Sequence, residues 1–323
     1  MRMATQSSSL AAHQIPPYAR TASIVMKTLN ILGCGRVGST LGYLWRSQGV
    51  FLIQDVYNTS TASADQAVNF MGAGRSVQRL ADMRPADVCM LAVPDGQINS
   101  VANQLSKEVN NMAVAGVFIA SNAIIFHCSG ALSSAELQSL KDKGAQVASA
   151  HCIMSFSAPS SAVTQFEGTP CALEGDAVAT QTLQRAFEAI GANCFDLAAK
   201  DKVLYHAAAV FATNFLPVLQ VVAADLWQST GMPKELIAPL NASLLKKAVQ
   251  NIAAQGAAKA LTGPAARGDT ELVTLQGAAV AAWNDQAGAA YAALSQLAAR
   301  IAKDGTIQSK DIQTIENKTT KDK

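Results

Sequence analysis

The chain has 323 residues, half of them apolar and 15% charged, with 25 Lys plus Arg against 23 Asp plus Glu. At about 150 residues per domain there is room for two domains and a substantial core, so wholesale disorder is excluded. A formal net charge of +2 offers no basic face of the kind a general nucleic-acid binder needs.

Residues 1–26 are polar and rich in Ser and Ala, with no apolar run behind a basic start, so a loose tail is expected rather than a secretory signal. Met26-Lys27 is a sensible alternative start. The first apolar run, Leu29 to Leu32, enters Gly33-Cys34-Gly35-Arg36-Val37-Gly38, and Ser39 to Gln48 reads as a helix. Each glycine in this strand–turn–helix has a task. Gly33 makes the tight turn, Gly35 lets the backbone approach a pyrophosphate, and Gly38 lets the helix sit close on the sheet. The helix N-terminus then offers free amides to the phosphates.

A second strand is expected over Val50 to Asn58 and a helix over Ala62 to Met71. Asp55 stands at roughly the distance of an acid that takes the adenosine ribose hydroxyls. If the strand instead runs to Asn58, its end is Asn58-Thr59-Ser60, short donors that suit the 2′-phosphate of NADP. NADP is therefore favoured over NAD, with both left open. A third strand, Asp87 to Val93, is stopped by Pro94, which lacks an amide proton. A helix over Gln97 to Leu105, a strand over Ala123 to His127, a helix over Ser133 to Lys143 and a strand over Gln146 to Ala150 continue a parallel βα rhythm. Ligands in such sheets lie beyond the carboxyl ends of the strands. That rule selects Val93-Pro94, Ser129-Gly130 and His151, although either His127 or His151 can equally be a satisfied boundary residue.

Residues 171–174 and 193–197 read as short strands around a helix at 177–190, extending the sheet or forming its edge. Lys200 to Gln228 reads as one long helix whose inner stretch is interrupted by His206 and Asn214. Buried polar groups need partners. The two residues either satisfy core bonds or line the substrate side of a cleft, where His206 would lie within reach of a ligand beyond Val93 and Ser129. Gly263-Pro264 breaks the helical run. On the loop behind it, Arg267 is a candidate clamp for a substrate carboxylate; Arg267 and Asp269 can equally form a local pair. Thr270 is a candidate cap for the next helix, through Leu272 to Trp283. The last residues, 303–323, read as a polar tail.

The expected organisation is a tail at 1–26, a Rossmann-like dinucleotide-binding domain at 27–157, a sheet-extension segment at 158–199, a helical substrate and dimerisation domain at 200–302, and the tail. Apolar helical faces at 205–222 and 272–298 predict a homodimer through the C-terminal helices. No run of 18 residues lacks a polar interruption, so no membrane span is expected. Six cysteines with no Cys-x-x-Cys pair fit reduced thiols of a cytoplasmic protein, and no cluster has metal-ligand spacing.

The stretches ILGCGRVG (31–38), AVPD (92–95), HCSG (127–130), HC…SF (151–156), YHAAAVFATNF (205–215) and LTGPAARGD (261–269) carry a resemblance. The chain resembles the Rossmann-like, DUF2520-domain proteins, a branch near the 6-phosphogluconate dehydrogenase-like and ketopantoate reductase-like oxidoreductases. The resemblance implies an NAD(P)-type domain followed by an all-helical domain through which dimers form, and it implies no particular substrate. In the related hydroxyacid dehydrogenases a Lys four residues before an Asn on the long helix donates the proton. Here Asn214 holds the Asn place and Val210 the Lys place, and Cys152 follows His151 where a Pro is usual. Proton transfer then falls to His206 first and to His151 second, with Asn214 orienting the substrate oxygen and Arg267 an anionic tail. The alternative is a dinucleotide-binding sensor without turnover.

Overall fold

The computed structural model describes residues 26–111 and 119–307; the expected tails, apart from Met26 and residues 303–307, lie outside these. The chain divides into two compact units after Ala209.

The first unit is built on one eight-stranded sheet: β1 (Thr28–Leu32), β2 (Leu52–Tyr57), β3 (Arg75–Val77), β4 (Ala86–Leu91), β5 (Ile119–His127), β6 (Gln146–Cys152), β7 (Pro170–Gly175) and β8 (Asn193–Asp196). Its order is β3-β2-β1-β4-β5-β6-β7-β8. The chain winds outward from β1 in both directions, so the crevice above the β1–β4 junction is a topological switch point, where such sheets take ligands. The first six strands run parallel, as the βα rhythm predicted for five of them. β7 joins β6 antiparallel, and β8 joins β7 parallel. The segments read as sheet extensions are therefore the far edge of the same sheet.

Helices cover both faces. Against one face lie α1 (Arg36–Ser47), α2 (Thr61–Met71) and α6 (Ala177–Glu188), around Trp45, which packs edge-on against Phe51, Phe126 and Phe187. The indole N–H of Trp45 donates to the Ala186 carbonyl at 2.9 Å, so this bulky apolar residue leaves no orphaned donor. The other face is covered by α3 (Ile98–Asn111) and by the turn ending in α4 (Gln138–Lys141). That turn corrects the helix expected at 133–143. Residues 134–137 are 3-10, and only one α turn follows. β3, a three-residue strand with little apolar signal, was not predicted. After α5 (Pro159–Gln165) and β8 the unit ends with α7 (Lys202–Ala209).

The second unit opens with a π turn at Val210–Asn214, followed by α8 (Phe215–Ser229), α9 (Lys234–Gln255), the short α10 (Ala257–Ala260) and α11 (Pro264–Arg267), α12 (Thr270–Trp283) and α13 (Asp285–Asp304). The single helix expected over 200–228 is thus interrupted. Pro217 supplies a reason: it brings no N–H to the ladder and crowds the carbonyl four residues earlier, where the helix widens. The cap of α12 is Asp269, whose Oδ1 accepts from the Leu272 amide at 3.1 Å, rather than Thr270. α12 and α13 pair closely because Gly288 lies against Ala281, where a methyl would be within 2.6 Å. The phenol of Tyr291 ties them by donating to Gln276.

The stretch Ala199–Ser229 is long and apolar enough, by length and composition, to cross a membrane, which corrects the expectation that no segment qualifies. Its first turns are nonetheless built into the α/β unit, through Lys202 and Tyr205.

Candidate functional site

The glycine turn leaves β1 at the switch point. Gly33 has φ +80°, and a side chain there would also strike Val93 at 2.6 Å, so backbone conformation and space both require glycine. Added to Gly38, a methyl would lie 3.0 Å from the Gly33 carbonyl oxygen, which measures how closely α1 sits on the turn. At Gly35 the same methyl would meet nothing within 4 Å: the face is open. No side chain caps the start of α1 and no acid lies in its first turn, so its leading amides remain for a ligand. The turn is pinned to the end of β2 by the Gly33 amide donating to the Tyr57 carbonyl and the Cys34 amide donating to Asn58 Oδ1 at 2.6 Å.

Above the turn lies a cavity of about 840 Å³, lined among others by Gly35, Arg36, Asn58, Thr59, Val93 and Pro94. No Asp or Glu lines it. Ser60 caps α2, its Oγ accepting from the Ser63 amide, and Val37 opens a smaller cavity alongside. Arg36 is exposed and makes no ion pair among the described residues. Asp55 is not the ribose acid that one sequence alternative offered. It is fully buried and bound by Arg75 at 2.9 Å and Arg84 at 2.7 Å, with the Arg84 amide donating as well. Burial alone would raise its pKa, but the hydrogen bonds from Arg84 and Arg75 outweigh that and hold the carboxyl below its ordinary value.

His127 ends β5, and His151 near the end of β6 meets His206 of α7; their ring nitrogens separate their roles. His127 uses both: Nδ1 accepts from the Ser129 amide at 3.2 Å, so Nε2 is the donor to the Ser133 carbonyl at 3.0 Å. Burial lowers its pKa and keeps it neutral. It shapes the loop and has no nitrogen left for a ligand. His151 uses Nδ1 alone, 2.8 Å from the Tyr205 phenol. His206 has a buried Nδ1 with no hydrogen-bond partner. The last two rings lie edge to face at 5.7 Å, and both converge on Gly130. A methyl there would fall 2.5 Å from His206 Nδ1 and 2.9 Å from His151 Nε2, so Gly130 is what makes room for them. The turn holding Gly130 is fixed by Ser129, whose Oγ donates to Asp95 at 2.8 Å and accepts from the Ala131 and Leu132 amides.

One residue of this cluster escaped the sequence reading. Lys202 is fully buried, and its ammonium donates to the Ser129 carbonyl at 3.2 Å and to Ser149 Oγ at 2.8 Å. Ser149 in turn donates to Glu174, which also accepts from the amide and hydroxyl of Ser134. Burial lowers the lysine's pKa, against the attraction of Glu174 and Asp95. The available signal was spacing: Lys202, Tyr205 and His206 stand at i, i+3 and i+4 on one helix face.

The remaining predicted site residues belong to the helical unit. Asn214 ends the π turn, is exposed, and accepts from the hydroxyl of Thr213 at 2.8 Å. Its direction relative to His206 cannot be reckoned at a uniform 100° per residue, because the π turn intervenes. Arg267 and Asp269 are exposed and, among the described residues, form no ion pair with each other; the Asp269 carboxylate is engaged in capping α12.

Among solved structures the chain is similar to TM1727 from Thermotoga maritima, at 24% identity and a TM-score of 0.66, over 86% of this chain and 99% of that one. It is similar to BF3122 from Bacteroides fragilis, provisionally described as an NADP oxidoreductase, at 18% identity and a TM-score of 0.64, over 85% and 98%. A pyrroline carboxylate reductase of Plasmodium falciparum with NADP bound aligns at 13% identity and a TM-score of 0.50, over 84% and 98%. At these identities the likeness is one of fold. No curated protein sequence matches the chain. Residues 17–152 match the model of a Rossmann-like domain, and residues 169–298 that of a domain of unknown function, DUF2520. The chain is therefore built of a Rossmann-like domain followed by a DUF2520 domain.

Proposed function

We propose that the protein is an NAD(P)-dependent oxidoreductase acting on a small polar substrate with a reducible carbonyl or imine, or the corresponding alcohol or amine. The observation that carries this reading is a juxtaposition within one unit: an open glycine cradle at the switch point, and two imidazoles with unclaimed nitrogens at the neighbouring strand ends. A bound nicotinamide dinucleotide would supply or accept a hydride equivalent. The residues present fit such a group. Gly33, Gly35 and Gly38, with the leading amides of α1, suit the pyrophosphate. Thr59 and Arg36 suit a 2′-phosphate, which no acid among the described residues lining the cavity repels, whereas the Ser60 hydroxyl is already spent on Ser63; this favours NADP over NAD. Val93, Pro94, Ser129 and Gly130 border the nicotinamide end. His206 holds or releases a proton at Nδ1, which has no hydrogen-bond partner among the described residues. Dimerisation through the C-terminal helices is part of the same proposal.

The test begins with titration calorimetry of the protein with NADPH and NADH, beside Gly35→Val. A Cβ at this position meets no protein atom within 4 Å, so the variant is expected to keep its fold while losing at least about tenfold in affinity. Equal binding by both proteins, or no binding by the parent, overturns the cofactor reading. Once a substrate is found, His206→Gln lowers turnover by about 10²-fold or more with dinucleotide affinity intact. Unchanged turnover with a lower melting temperature assigns His206 to structure. Binding without turnover across a carbonyl and imine panel favours the sensor.

A further inference from the structure

We propose that Tyr205 is a positioning residue that fixes His151 as the neutral Nε2–H tautomer, so that His151 presents a hydrogen-bond donor beside Gly130 to an oxygen acceptor of the ligand, a carbonyl or a carboxylate. This rests on the reading that a ligand binds at this cluster, in the cavity that His151 lines, and adds a second group and a ligand class to it.

The argument starts from which atom donates across the 2.8 Å contact between Tyr205 and His151 Nδ1. Both groups are uncharged at neutral pH. Burial, helped by His206 and Lys202, lowers the His151 pKa to about 4 against a weaker opposite pull from Asp95. Burial raises that of the Tyr205 phenol, with the Cys171 and Cys152 thiols adding to it. Between a neutral imidazole and a phenol, the ring nitrogen is the better acceptor and the phenol O–H the better donor. Tyr205 therefore donates, Nδ1 is the lone-pair nitrogen, and the ring proton resides on Nε2. His127, the last residue of β5, shows the contrasting outcome: both its nitrogens are consumed by backbone.

Nε2 is the edge of His151 that faces Gly130. His151 also lines a cavity of about 100 Å³ with Val37, Leu41, Met154 and Phe156. That cavity is apolar apart from the ring, Cys128 and Cys152, and it begins at the helix that leaves the glycine turn. A donor in such surroundings selects for a ligand atom that accepts, and it strengthens as charge develops on that atom. The ammonium of Lys202, buried behind Ser129, adds positive potential and disfavours a cationic group at the same point. His151 in this role transfers no proton, so none has to be restored to it. Proton delivery stays with His206.

The experiment is two-bond 1H–15N correlation NMR of the full chain with 15N-labelled histidine, without ligand. There are four histidines, and the His151 signal is identified by its loss in His151→Gln. The expected result is an Nε2–H pattern for His151 that does not change between about pH 5.5 and 8.5. In Tyr205→Phe the signal shifts toward a mixture of tautomers while calorimetric NADPH affinity remains that of the parent. An Nδ1–H pattern in the parent overturns the proposal, as does titration of His151 near its ordinary pKa or a pattern indifferent to Tyr205→Phe. If Tyr205→Phe does not fold, the parent spectrum decides alone. Loss of NADPH binding in the parent, with the tautomer as expected, would remove the cofactor reading and leave the positioning role intact.

Discussion

In the α/β unit the strands put their apolar residues inside. Leu29, Ile31, Met90, Leu91 and Phe126 are shut from solvent, and its buried charged groups Lys202 and Asp55 are held by named partners, whereas His206 Nδ1 and Ser139 Oγ are not. In the helical unit Ile237 alone among the described apolar side chains reaches that burial, while Phe211, Val218, Val221 and Leu275 stand 56–67% exposed. The first unit has the core of a domain that holds itself together. The second has helices that are apolar on most sides, the pattern of elements covered by another surface. The proposed homodimer answers that difference, because a two-fold interface buries the same apolar faces from both copies.

The sharpest way to break this contrast is to charge the exposed apolar faces. Light scattering of the parent at low micromolar concentration should give about twice the chain mass of 33.7 kDa. In the double variant Val221→Glu, Leu275→Glu the dimer should weaken by about 100-fold or more, since each carboxylate would have to be desolvated. Helical circular dichroism should fall on dilution. A parent of single-chain mass would mean that the helical unit keeps its apolar surface in water, and the comparison would lose its explanation.

A smaller effect probes the other side of the contrast. Lys202→Met keeps the length of the buried side chain but removes the donor shared by the Ser129 carbonyl and Ser149. A cost of about 1–3 kcal/mol in urea unfolding is expected from the acceptors left without it. An unchanged midpoint would show that Ser149 and Glu174 satisfy each other and that the lysine is dispensable to the loop.

What was legible in the sequence follows the range of the interactions. The β1–glycine turn–α1 unit was readable because its constraints lie within ten residues: positive φ at Gly33, close approach at Gly38, an uncapped helix start. The parallel run of five of the first six strands, all but β3, followed from the alternation of apolar runs and helical patterns. Asp55 could not be resolved that way. Its partners, Arg75 and Arg84, are 20 and 29 residues away, and only the pairing of β2 with β3 brings the first of them alongside. Lys202 was not singled out, since its burial is decided by Ser129 and Ser149, more than fifty residues upstream. The interruption at 210–214 was encoded locally, by Pro217, and was hidden by the apolar continuity of the run. The two histidines stood out as polar residues near strand and helix ends, but the use of each ring nitrogen depends on loop geometry that spacing does not contain.

The smallest expected effect concerns Asp55, which ties β2 to the segments around Arg75 and Arg84 and tests whether the α/β unit's polar interior contributes to its stability. Its folded pKa lies below the ordinary carboxylate value of about 3.9. The folded state therefore binds fewer protons than the unfolded state in that range. The resulting stability is fully present above about pH 4 and is lost as pH falls through the folded pKa. His127 and His151 also have lowered pKa values, with the same sign at higher pH: as the unfolded state takes up protons first, the contribution of His151 is lost between about pH 6.5 and 4, and that of His127 as pH falls below about 6.5. The parent's melting temperature alone would mix these effects, so the informative quantity is its difference from Asp55→Asn. Because Arg75 and Arg84 are half exposed, solvent screens the pair, and a difference of the order of 1 kcal/mol at pH 7 is expected. From pH 7 to 5 that difference should stay constant, since the histidines titrate alike in both proteins. Below about pH 4 it should shrink as Asp55 is protonated in the parent. A difference that already shrinks between pH 6.5 and 5 would place its origin in the histidine cluster, and one that persists at pH 2 would mean that shape or hydrogen bonding, not the carboxylate charge, joins these strands.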